Sequence, residues 1–87
     1  MKHTASKRFW KCHDELPAEV QALSKKNFEL LKLDPGHPSL QFKLLGNGKL
    51  YSARVGHYYR VLGLPRQNAI HWFWIGTHAE YDKLIAA

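Results

Sequence analysis

Arg54 and Arg60 lie on either side of Gly56-His57-Tyr58, and His78 follows Ile75-Gly76-Thr77. These residue types suit work on a phosphate. A guanidinium is planar, permanently charged and bidentate, so it grips phosphate oxygens. An imidazole changes charge near neutral pH and can take or give a proton. If Gly56-His57-Tyr58 is a three-residue loop, Val55 pairs with Tyr59 and Arg54 sits opposite Arg60; a two-residue loop sends the arginines to opposite faces. Burial favours the first register, because Ala53, Val55, Tyr59 and Val61 then share the other, apolar face. Like charges directly opposite destabilise a sheet unless an anion lies between them, which points to a phosphate site.

Other residues are candidates of the same kind. His37, in Gly36-His37-Pro38, and His57, at the hairpin tip, could each serve the site or simply be turn residues. Lys43 and Lys49 would offer point charges to a nucleic-acid backbone. Tyr81 and Glu80 follow His78 closely enough to stack on a base or to orient that histidine, although a helical tyrosine more often packs inward. Trp10, Trp72 and Trp74 could stack nucleotides, but a small domain needs its large side chains inside. His71 reads as a packed strand residue, and His3 and His13 carry no site signal.

The 87 residues predict one domain, residues 1–87, and 45% hydrophobic content suffices for a core without metal or disulfide. Cys12 is the only cysteine, so no intrachain disulfide forms, which fits a reducing cytoplasm. No apolar run approaches the roughly 18 residues of a membrane span, and residues 1–13 lack the apolar stretch of a secretory signal. Thirteen Lys and Arg against seven Asp and Glu give a net charge of +6 and a pI near 9.7. A basic domain of this size suits a polyanionic partner, either nucleic acid or an acidic protein.

The elements that must position these residues follow from periodicity. Residues 4–13 mix Phe9, Trp10 and Cys12 with polar neighbours and are expected to form a strand. Pro17 fits the first turn of a helix, with Val20, Leu23, Phe28, Leu30 and Leu31 as its apolar stripe. Asp34-Pro35-Gly36 ends it. The period then changes to two. Strands are expected over 39–45, 49–55, 59–64 and 69–76, with turns at Gly46-Asn47-Gly48 and at residues 65–68, and a short helix over 78–86. The order β-α-β-β-β-β-α predicts an α+β fold, one main helix on a largely antiparallel sheet.

This order, with several local strings, resembles the RelE/ParE toxin superfamily from about Phe9 to Ile85. The strings are Leu16-Pro17, LLKLDPGHPSLQFK from Leu30 to Lys43, RVGHYYRVL from Arg54 to Leu62, and WIGTHAEYDKLI from Trp74 to Ile85. The resemblance implies a sheet with a helical layer on one face and a basic concave face on the other. It implies a type II toxin held in check by an acidic cognate antitoxin, working in the cytoplasm without cofactor or metal. Many members cleave mRNA on the ribosome and so inhibit translation; the ParE branch acts on DNA gyrase, and a non-toxic antitoxin-binding member is a third possibility. Such cleavage needs a base for the 2′-OH, an acid for the leaving 5′-oxygen and cations for the crowded phosphorus. The positions that match catalytic ones in the family are His78 and, for one branch, His37, for proton transfer; Arg54 and Arg60 on the phosphate, Tyr81 beside them, and Lys43, Lys49 and His57 binding RNA are candidates on their own residue types and places. Residues 50–53, Leu-Tyr-Ser-Ala, lack the lysines of one branch, and a Glu base of another branch has no counterpart. A His-plus-Arg mechanism is therefore expected.

Overall fold

The computed structural model describes residues 2–46 and 48–86; Asn47, the centre of the expected Gly46-Asn47-Gly48 turn, lies outside them. The chain runs β1 (Lys2–Ala5), α1 (Lys7–Asp14), α2 (Ala18–Leu33), a 3-10 turn (Pro38–Leu40), β2 (Lys43–Leu45), β3 (Leu50–Val55), β4 (Tyr59–Arg66), β5 (Ala69–Thr77) and α3 (His78–Ala86). The five strands form one sheet in the order β1-β5-β4-β3-β2. β1 pairs parallel to β5, and every other pairing is antiparallel.

Three sequence expectations change. The strand expected over 4–13 is instead β1 followed by α1. Ser6 caps this helix, its hydroxyl accepting from the Phe9 amide at 3.1 Å, and Phe9 and His13 fall one turn apart on the buried face. The strand expected over 39–45 is only β2, because Pro38 fits the first turn of a 3-10 helix. The expected turn at 65–68 is shorter, since β4 continues through Pro65 to Arg66 and Asn68 supplies the positive φ of 56°. The helix over 18–33 and the strands β3, β4 and β5 otherwise lie close to their expected places.

Side chains divide between two faces of the sheet. On one, Phe9, Leu31, Leu40, Val55, Ile70, Trp72 and Ile75 form the main core beneath α1 and α2. On the other, Leu62, Trp74 and Tyr81 pack beneath α3. Trp72 and Trp74 would share a face in a regular strand. A shift of register between Leu62 and Gly63 sends them to opposite sides. Gly63 makes room for this, because a Cβ there would stand 2.6 Å from Ile70 and 2.8 Å from Trp72. Trp72 and Trp74 are thus core residues, whereas Trp10 is 49% exposed.

Candidate functional site

The β3–β4 hairpin has the register with Val55 opposite Tyr59 and Arg54 opposite Arg60. Gly56 makes the three-residue connection possible with a φ of 64°. Arg54, Arg60 and Ser52 therefore share the face that carries α3, and Lys43, opposite Ser52, joins them at the β2 edge. α3 starts directly at the end of β5. Thr77 and Glu80 close its first turn reciprocally: the Thr77 amide donates to Glu80 Oε1 at 3.1 Å and the Glu80 amide to Thr77 Oγ1 at 3.1 Å. The His78 amide donates to the Tyr58 carbonyl at 2.7 Å, which ties the hairpin tip to the helix start.

Arg60 is the centre of the group. It is 6% exposed. Its Nε donates to His78 Nδ1 at 3.3 Å and its Nη2 to Gln41 Oε1 at 3.4 Å, while Nη1 is buried with no hydrogen-bond partner. The guanidinium carbon lies 5.4 Å from the centre of the Tyr81 ring. Among the described residues no carboxylate pairs with it. A buried cation held only by long bonds to neutral acceptors keeps its full charge for an incoming anion. Across the hairpin, Arg54 is half-buried and its Nε also lacks a partner.

His78 accepts at Nδ1, which places its proton on Nε2, 3.2 Å from Asp82 Oδ2. Asp82, one turn along α3, orients the ring. Glu80 is occupied in the helix cap, so the sequence reading that gave Glu80 this part is corrected. Tyr81 is 4% exposed, and its hydroxyl accepts from Ser52 Oγ at 3.2 Å.

The remaining candidates divide. His37 caps the 3-10 turn, its Nδ1 accepting from the Ser39 amide at 3.2 Å and the Ser39 hydroxyl at 2.8 Å. The described hydrogen bonds do not join it to Arg60 or His78. The same segment reaches the site through Gln41 instead, at the left-handed φ of 44° where the turn ends. Lys49 is exposed beside the start of β3, and His57 is exposed at the hairpin tip, edge-on to Tyr58. Gln41, Asp82 and Ser52 are the contributors that sequence reasoning missed. The spacing of Asp82 from His78 on one helix was the available signal for one of them; nothing in the local sequence marks Gln41.

Solved structures share this arrangement of elements. A RelB–RelE antitoxin–toxin complex from Methanococcus jannaschii matches with a TM-score of 0.72 and 18% identity over 93% of this chain and 96% of that one. The archaeal RelE–RelB complex from Pyrococcus horikoshii matches at 0.68 with 22% identity over 87% and 92%. The isolated E. coli RelE toxin matches at 0.66 with 18% identity over 97% of both chains. The fold is that of the RelE toxins. No protein-family model and no curated sequence matches the chain. In this RelE-type fold the Arg60 group lies on the sheet face opposite α1 and α2, buried beneath α3 rather than on the open face that the resemblance implied.

Proposed function

We propose that this chain is the toxin of a toxin–antitoxin pair and cleaves mRNA at the ribosome, in the cytoplasm, through the Arg60–His78 group. One observation carries this reading: a buried guanidinium with an unpaired Nη1, bonded to a histidine and to no carboxylate. Such a site lacks only the anion. When a phosphate takes the guanidinium, His78 Nδ1 loses its donor and becomes free to accept a proton. It takes that proton from the ribose 2′-OH, the 2′-oxygen bonds to phosphorus, and the bond to the 5′-oxygen breaks. The leaving 5′-oxygen takes its proton from water, the Tyr81 hydroxyl being held inside the fold by Ser52. The products are a 2′,3′-cyclic phosphate and a free 5′-OH. Arg60, with Arg54 beside it, stabilises the charge that builds on the phosphoryl oxygens. Lys43 on the same face, with Lys49 and His57 outside it, holds the flanking backbone.

The partner in this reading is an acidic antitoxin. Two of the structures with this fold are toxins solved with RelB, and a net charge of +6 complements an acidic segment. The test is inducible expression in bacteria lacking the antitoxin, with wild type beside His78→Ala and Arg60→Ala, read as growth and as new 5′ ends on a translated mRNA. Wild-type arrest with new ends inside codons, reduced about 100-fold or more in both variants, is expected. Arrest with intact mRNA would move the target to a protein such as gyrase. Folded wild type without arrest would leave an antitoxin-binding module.

A further inference from the structure

The helices on the main-core face do not close over the sheet. α1 lies over β5 and α2 over β3, and between them opens a cavity of about 290 Å³. Ala53, Val61 and Trp72 line it from the sheet, Phe9 from α1, and Phe28 and Leu31 from α2. It is half open to solvent, so the apolar side chains that line it are left uncovered. Apolar cavities of roughly 150 Å³ already take up benzene.

Lys25, with the imidazoles of His3 and His13 and the neutral Thr4, Ser24 and Asn27, makes its polar lining, and no Asp or Glu is among the described lining residues. His13 is 2% exposed, stacked on Phe9 at 5.9 Å. Its Nδ1 is buried without a hydrogen-bond partner, the exposed Asp14 carboxylate standing 3.8 Å away. Unpaired buried polar atoms are uncommon and call for an explanation. His3 accepts from Trp72 Nε1 at 3.1 Å, which leaves its Nε2–H as a donor. None of these groups belongs to the Arg60–His78 site; Arg54, which also borders the cavity, has its side chain on the opposite face of the sheet.

We propose that this cavity binds a small organic acid with an aryl body, its ring among Phe9, Phe28 and Trp72 and its carboxylate turned toward His13 and Lys25. The aromatic walls favour a flat ring in offset or edge contact, and the Lys25 ammonium, with no carboxylate among the described lining residues, favours an anion. A side chain inserted by a partner protein is the other occupant of suitable size. No standard side chain joins a ring to a carboxylate, so the two halves of the cavity favour the free acid.

The test titrates the whole chain with 3-phenylpropionate, followed by ¹H–¹⁵N correlation spectra, beside the alcohol 3-phenylpropanol. Expected are saturable shifts at the amides of Phe9, His13, Phe28 and Ala53 and at the Trp72 indole N–H, with the alcohol at least about tenfold weaker. Ala53→Leu and Ser24→Leu each fill the cavity, so both lose the shifts while raising Tm. The absence of saturable shifts in the wild type overturns the proposal, whatever the variants do. So do equal affinities for acid and alcohol, or shifts that persist in a folded, filled variant.

Discussion

Arg60 acquires its character from what surrounds it. A guanidinium this buried is ordinarily neutralised by a carboxylate, and here it meets the side-chain carbonyl of Gln41, the lone pair of His78 and the ring of Tyr81. Neutral acceptors orient the fork without cancelling its charge. Gln41→Glu changes little in shape but puts a carboxylate on Nη2. It is expected to raise Tm through the new ion pair while lowering cleavage by at least about tenfold, more than Gln41→Ala does. Cleavage of a translated mRNA and thermal melting, measured on the same preparations, check this. If Gln41→Glu cleaved as well as wild type, Arg60 would not be the phosphate's partner.

At the scale of elements, α3 is what makes a site of a sheet face. It brings His78 to Arg60 and Tyr81 to Ser52, and its first turn is fixed by the Thr77–Glu80 cap rather than by extensive packing, for its other described residues are largely exposed. Short helices are marginal without tertiary support or caps. Glu80→Ala is expected to destabilise the chain by only about 0.5–2 kcal/mol yet to lower cleavage out of proportion, since His78 and Tyr81 then fray from the hairpin. Hydrogen exchange at the α3 amides should rise in this variant while β4 and β5 stay protected. Uniform loss of protection would mean that α3 is an integral part of the folded unit instead. The same scale explains the misread N-terminus. Aromatic residues in a short stretch suggested a strand, but the Ser6 cap and the Phe9–His13 spacing allow a helix, and β5 pairs with residues 2–5 upstream of it.

For the molecule as a whole, stability should depend on pH in a definite direction. Burial, with Lys32's positive charge adding, pulls the His3 imidazole below its ordinary value of 6.5. Protonation of His3 is therefore easier in the unfolded chain, and the unfolded chain binds the extra proton as the pH drops. The stability this group contributes is complete above about pH 6.5 and is lost as the pH falls from there through the lowered folded value. Wild type is expected to show a drop in Tm as the pH falls below about 6.5, and His3→Gln, which keeps an acceptor for Trp72, a smaller one. Equal drops in the two proteins would remove His3 from the account.

Much of this was legible in the chain itself. Period-two runs marked β3, β4 and β5, the Asp34-Pro35-Gly36 breaker ended α2, and segregation of charge from apolar surface selected the register that sets Arg54 against Arg60. Those are local rules, and they operate between residues close in sequence. The parts that needed the tertiary structure join distant segments: Gln41 to Arg60, Ser52 to Tyr81, β1 to β5, and the opposite fates of Trp72 and Trp74. A register shift in one strand decides that last pair. The charge left open on Arg60 and the gap left open between α1 and α2 are both products of packing. Neither can be read from residue types, because each depends on which partners the finished fold fails to supply.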